Sequence, residues 1–347
     1  MENAVSESEL KIEAYRAVCA KLGIVMCVYY ICRILAGFVI FYFIDETGIA
    51  QGSVVQYTLR SAAMVLFVYV LPMAASAMLF DSFRYYRHPP EKLRQLYKKP
   101  KRLAQNLGNF PAMYGLGQSV NLLTMLAFFL IMQVFSRMGG GVELERFFDQ
   151  VAVETPQNLI SALIMVFMIV FIAPIAEEFW ARGIMYDALK PYGCGMAILI
   201  SSILFGLLHG RFEMLPYTTA LGLALGYIRY ATDSLLVVTL LHMIFNAIAA
   251  GMLFLLSLAE ITGGENNLID TLSNIYLLAM LVMVVIGIAA FIKKIPKLKR
   301  YRITNDWDEV SSMKKLALFF VSMPVILMLV LAFDTHANHL LLWNLLT

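Results

Sequence analysis

The sequence predicts an all-α fold, a polytopic transmembrane helix bundle of about eight or nine spans, on three observations. Hydrophobic residues make up 60% of the chain and mean hydropathy is +0.74, well outside the range of soluble domains. Long apolar runs recur from end to end, several reaching the ~20 residues a helix needs to cross ~30 Å of hydrocarbon. The charges lie between these runs, in clusters of one sign. A net charge of +3 gives no reason to expect nucleic acid as a partner, whereas the apolar surface points to membrane lipids.

The chain opens acidic (Met1-Glu2) and lacks the basic-then-apolar plan of a cleavable signal. Ser6 and Glu9 form a capping-box pattern, and Leu10, Tyr15, Val18 and Leu22 predict an amphipathic helix over about 7–22, either at the membrane surface or as a solvated leader helix. The first span, Ile24 to Ile44, contains Arg33, whose expected partner is a neighbouring helix or a carbonyl. A second span, Ser61 to Phe80, should kink at Pro72. The loop that follows, Asp81 to Asn109, carries eight basic residues against Asp81 and Glu91, so it reads as cytoplasmic and able to meet anionic lipid. The third span is Ala112 to Phe135. After it come Gly139 to Gly141 and the acidic Glu143, Glu145, Asp149 and Glu154, an external segment by composition.

The fourth span starts near Asn158 and should stop at the turn Pro191-Tyr192-Gly193. The fifth (Gly195 to His209), sixth (Leu215 to Tyr230) and seventh (Ser234 to Leu258) follow closely, the sixth with Gly222-xxx-Gly226 as a small face for close packing. An acidic turn with Glu260, Glu265 and Asp270 leads to the eighth span, Thr271 to Ile292. A second basic cluster from Lys293 to Arg302 precedes the ninth, Met313 to Phe333. Nine crossings with the N-terminus in the cytoplasm put both basic clusters on that side, in an integral multi-pass protein expected in the plasma membrane. With no repeat or long linker, residues 1–347 read as a single membrane domain. Cys19, Cys27, Cys32 and Cys194 show no CxxC pair and read as packed apolar residues.

The chemistry is concentrated in the fourth span, where Glu177, Glu178 and Arg182 stand in apolar surroundings. Ionisable groups at membrane depth are costly and mark functional sites. His88, His336 and His339 fall in the polar loop and tail, but His209 and His242 lie in or at the end of apolar spans. Glu178 and Arg182 are four apart with the acid first, the better order for a helical ion pair, which leaves Glu177 about 100° around the helix. His242 and Asn246 share a face by the same spacing, and Phe205, four before His209, should position that ring. A glutamate in a poorly solvated pocket suits a general base, and with His209 Glu177 can deprotonate a water that attacks a peptide carbonyl. His242 and Asn246 can then donate to the oxyanion. HExxH is absent, so no cofactor is favoured, although Glu177, His209 and His242 form a possible zinc set.

Residues 177–182 read EExxxR, Phe205 to His209 reads FxxxH and His242 to Asn246 reads HxxxN. In this order, each in or beside an apolar span, the set resembles that of the CAAX-protease and bacteriocin-processing (CPBP, or Abi) intramembrane endopeptidases, which include the Ras-converting CAAX endopeptidase. The resemblance covers a catalytic core of about 158–250. It implies a peptidase, glutamate-type rather than metal-dependent, that acts on a membrane-bound protein or peptide. Glu177 and His209 would activate the water, His242 and Asn246 would hold the oxyanion, and Glu178 and Arg182 would support and orient. Prenylated CAAX peptides are the eukaryotic substrate in that family. Two other readings use the same residues: a proton-coupled transporter, since buried Glu and His also form proton relays, and a non-catalytic membrane scaffold or immunity protein that keeps the motifs for structure.

Overall fold

The computed structural model describes residues 7–50, 52–80, 94–100, 102–137, 156–211, 213–264, 266–298, 303, 307 and 309–336, and among these every regular element is helical. In chain order the helices are α1 (Glu7–Asp45), α2 (Val54–Leu79), α3 (Phe110–Arg137), α4 (Leu159–Tyr192), α5 (Cys194–Leu207), α6 (Leu215–Thr232), α7 (Leu235–Ile261), α8 (Asn267–Leu298), α9 (Ser312–Phe320) and α10 (Met323–His336). A short helix, Leu103–Leu107, leads into α3. The basic loop over 81–93, the acidic segment over 138–155 and residues 299–302 lie outside the described residues.

Each expected span is helical, the ninth as two helices, but fewer of them can cross a bilayer alone. Six helices, α1 to α4, α7 and α8, are long and apolar enough, and α9 with α10, bent by 69°, make a seventh if counted together. Among the described residues this gives six or seven candidate spans against the expected eight or nine. α5 has 14 residues, which at ~1.5 Å each fall short of ~30 Å of hydrocarbon. It is apolar because it is buried inside the bundle, with Ile200, Leu204 and Phe205 fully enclosed. Hydropathy does not distinguish a short core helix from a span. α6 is 18 residues long and carries Arg229 on its last turn. With the count at six or seven, parity no longer assigns a side to the N-terminus.

Residues 7–22 are the first half of α1 and run without a break into the span. Of their four apolar positions, Tyr15 and Leu22 pack on protein, Val18 is half-buried and Leu10 is exposed. Tyr15 is fully buried, donates its hydroxyl to the Lys315 carbonyl (3.0 Å) and sits 5.1 Å and 5.8 Å, ring to ring, from Tyr192 and Trp307. All four cysteines are buried and outside any disulfide.

Two prolines shape the helices that matter for the site. Proline has no N–H for the carbonyl four residues back and clashes with it. In α2 a π-helical stretch, Val65–Val70, ends just before Pro72; in α4 another, Met168–Ile172, ends just before Pro174. In each case the bypassed residue, Val68 or Val170, lies within the π turn. A second π stretch in α4, Phe179–Met185, follows the glutamate pair at once, so Glu177 and Glu178 sit on one α-helical turn between two π turns. Such turns concentrate at functional sites because they rotate the side chains that follow. The ends of α4 are those the sequence predicts: Asn158 caps it by accepting from the Ser161 N–H (2.8 Å), and Gly193 leaves it at φ 123°.

Close helix contacts run through glycine. On α6, Gly222 and Gly226 lie against Ser202 and Ile198 of α5, where an added Cβ would stand 3.0 Å and 3.1 Å from the nearest side-chain carbon. The tighter crossing is between α3 and α8, where a Cβ on Gly287 would fall 2.6 Å from both the Gly115 Cα and the Pro111 carbonyl oxygen. Backbone atoms cannot yield as a side chain can. Gly287→Ala is therefore expected to destabilise the protein by about 1–3 kcal/mol, the usual cost of overpacking, read as a lower melting temperature in detergent. An unchanged melting temperature would show that the two helices separate freely.

Candidate active site

The glutamate pair divides as the helical spacing predicts. Glu178 is wholly buried and forms an ion pair with the equally buried Arg182 (Oε1 to Nη1, 2.9 Å). Arg182 also donates from Nη2 to the Gly222 carbonyl (3.0 Å), tying α4 to the glycine face of α6. Its guanidinium lies over the Phe205 ring, 4.3 Å from the centroid. Phe205 in turn contacts both imidazoles edge-on, His209 at 5.1 Å and His242 at 5.7 Å between centroids. It was expected to position one histidine and it packs against two.

His242 Nδ1 lies 2.9 Å from the same Glu178 oxygen that holds Arg182. A carboxylate paired with arginine can only accept, so Nδ1 carries the proton and Nε2 is left to face the site. Nε2 stands 3.9 Å from Glu177 Oε2. His209 is fixed in the same tautomer by another partner, since its Nδ1 lies 3.0 Å from the Phe205 carbonyl, which likewise only accepts. Its Nε2 is also free to accept.

Glu177 and His209 line one cavity of about 180 Å³, with Tyr29 and Arg33 of α1, Tyr69 of α2 and Trp180 of α4. The walls are tied together at several points. Tyr69 donates to Glu177 Oε1 (3.4 Å), Trp180 Nε1 to Ser76 Oγ (2.7 Å), and the Tyr30 hydroxyl to the Leu207 carbonyl (2.8 Å), while Tyr29 bonds the Leu208 carbonyl beside His209. Arg33 has the carbonyl partner the sequence leads one to expect, Leu208, at 3.2 Å. Asn246 is turned elsewhere: its Nδ2 donates to the Ile169 carbonyl (2.9 Å), inside the first π stretch of α4. One amide hydrogen of Asn246 is used there and one remains.

Glu177, His209 and His242 thus converge, Glu178, Arg182 and Phe205 pack behind them, and Asn246 anchors α7 to α4. Tyr29, Tyr69 and Trp180 were not anticipated. In a chain with 17 tyrosines, most of them among apolar residues, nothing local marks the two that reach a cavity. Among the described residues no three His, Cys, Asp or Glu side chains are placed to hold a metal ion. Glu177, His209 and His242, the possible zinc set, are therefore not placed as ligands of one ion.

Residues 159–248 match the family model described as type II CAAX prenyl endopeptidase Rce1-like. Over this segment the chain is similar to the Rce1-like family. No curated protein and no solved structure matches it. The Rce1-like segment runs from the start of α4 into α7 and contains every residue of the three motifs. A family of CAAX-type proteases implies a peptidase embedded in lipid and acting on a protein substrate. Half of the cavity wall nevertheless comes from helices before the Rce1-like core, through Tyr29, Arg33 and Tyr69.

Proposed function

We propose that the protein is an intramembrane CAAX-type endopeptidase of glutamate type, hydrolysing a peptide bond in a membrane-associated protein or peptide. The observation that carries this reading is the shared cavity of Glu177 and His209, with His242 presenting Nε2 at 3.9 Å from the same carboxylate. Glu177, helped by His209 Nε2, takes a proton from water; the hydroxide adds to the scissile carbonyl carbon. The tetrahedral oxyanion is held by His242 Nε2–H and the remaining Asn246 amide hydrogen. His242 donates in this way only as the imidazolium, in which form its two N–H groups face Glu178 and Glu177. Collapse breaks the C–N bond, and the departing nitrogen takes the proton from Glu177. The catalytic core is residues 158–250 of a single membrane domain, with the N-terminus in the cytoplasm of a plasma-membrane protein.

The test is hydrolysis of a farnesylated C-terminal peptide by the protein in proteoliposomes. His209→Ala is expected to lower kcat by about 10²–10⁴, the range for losing an acid–base partner, and undiminished turnover would remove His209 from the mechanism. Turnover is also expected to survive dialysis against a chelator. Loss restored by zinc would reassign Glu177, His209 and His242 as metal ligands.

A further inference from the structure

Helix α1 brings a cation into the cavity of the two catalytic groups. The Arg33 guanidinium forms part of the wall that Glu177 and His209 share. Its Nη1 donates to the Tyr29 hydroxyl and the Leu208 carbonyl, both at 3.2 Å and both neutral. Three other arginines within the helices have carboxylates: Arg182 has Glu178, Arg60 has Asp45, and Arg229 has Asp187 and Asp233. Among the described residues no carboxylate pairs with Arg33.

The chain makes room for this group. Gly210 follows His209 at φ 67°, and a Cβ there would stand 2.7 Å from Arg33 Cζ, so the guanidinium lies against bare backbone. A cation at membrane depth without a counter-ion is costly, and an arriving anion offsets that cost. The planar fork of arginine suits a carboxylate, which accepts two parallel N–H bonds. A cavity of about 180 Å³ is also below the ~300–1,000 Å³ of drug-sized sites. It suits the short end of a chain better than a continuing segment.

We propose that Arg33 binds the C-terminal carboxylate of the peptide substrate. The cavity then selects a free chain end and places the scissile bond at Glu177 by its distance from that end. This rests on the endopeptidase reading above and adds a residue outside the Rce1-like core. A carboxylate in a bilayer also comes from free fatty acid, and the experiment separates the two sources.

The full-length Glu177→Gln variant, which binds without cleaving, is titrated in nanodiscs with three probes, using tryptophan fluorescence (Trp180 lines the cavity). The probes are a farnesylated peptide with a free C-terminal acid, the same peptide as its C-terminal amide, and palmitate. The acid is expected to bind about 30-fold or more tighter than the amide, the effect of leaving a buried charge unpaired. Adding Arg33→Gln should bring that ratio close to one, and Arg33→Lys should keep part of it. In the cleaving protein the same ratio should appear in KM, and Arg33→Gln should remove it. Equal binding of acid and amide, or an acid preference that survives Arg33→Gln, overturns the proposal. So does palmitate binding in an Arg33-dependent way while the peptide shows no acid preference. Acid-selective binding with no hydrolysis by the parent protein would count against the peptidase reading alone and leave Arg33 in its role.

Discussion

Glu177→Gln is expected to abolish peptide hydrolysis while leaving the protein folded. Gln has the shape of Glu but cannot take a proton from water, so the loss in kcat should be at least the about 10²–10⁴ of a missing general base. The fold has little at stake in this side chain. Glu177 is 15% exposed into the cavity, and its Tyr69 contact is long at 3.4 Å and can be kept by an amide oxygen. No arginine pairs with it, in contrast to its neighbour. Stability should therefore move by no more than about 0.5 kcal/mol, as for substitutions away from packed or paired groups. Peptide cleavage in proteoliposomes and the melting temperature in detergent are read on the same preparation. Cleavage retained at more than a tenth of the parent rate would take the base away from Glu177, and a collapsed melting curve would make the residue structural.

Much of this site was legible in the sequence because it is written in helical spacing. A spacing of four from Glu178 to Arg182, and from Phe205 to His209, places each pair on one face, and the ion pair and the ring contact are both formed. Asn158 as a cap and Gly193 as a stop are backbone effects, local by nature. What spacing cannot carry is depth and distance along the chain. Whether α5 crosses the bilayer depends on its neighbours, not on its residues, and so a 14-residue core helix reads as a span. Tyr69 reaches Glu177 across 108 positions. The His242 contact with Glu178 spans 64 positions. HxxxN places His242 and Asn246 on one face, yet the two side chains meet different parts of α4, a carboxylate and a carbonyl in a π turn that ends just before Pro174. The apolar face of residues 7–22 was visible in its periodicity, but the choice between lipid and protein as its cover was not.

Arg182→Met is expected to be among the most destabilising single changes in the protein. Arg182 and Glu178 are both wholly buried, and removing one partner leaves the other charge uncompensated, at a cost of about 3–5 kcal/mol. The Gly222 carbonyl loses its donor and Phe205 loses the cation over its face. The informative comparison is the double variant Glu178→Leu with Arg182→Met. An apolar pair of similar volume often equals or exceeds a buried ion pair in stability, by up to about 4 kcal/mol, so the melting temperature should return toward that of the parent. Hydrolysis should not return. With Glu178 gone, His242 Nδ1 loses the carboxylate that holds it, and its Nε2 is no longer aimed at the carbonyl being attacked. Stability restored without activity would mean that the pair is kept for the orientation of an imidazole rather than for the strength of the fold. Recovery of both would show that His242 keeps its position without Glu178, and failure of both would make the ion pair a requirement of folding itself.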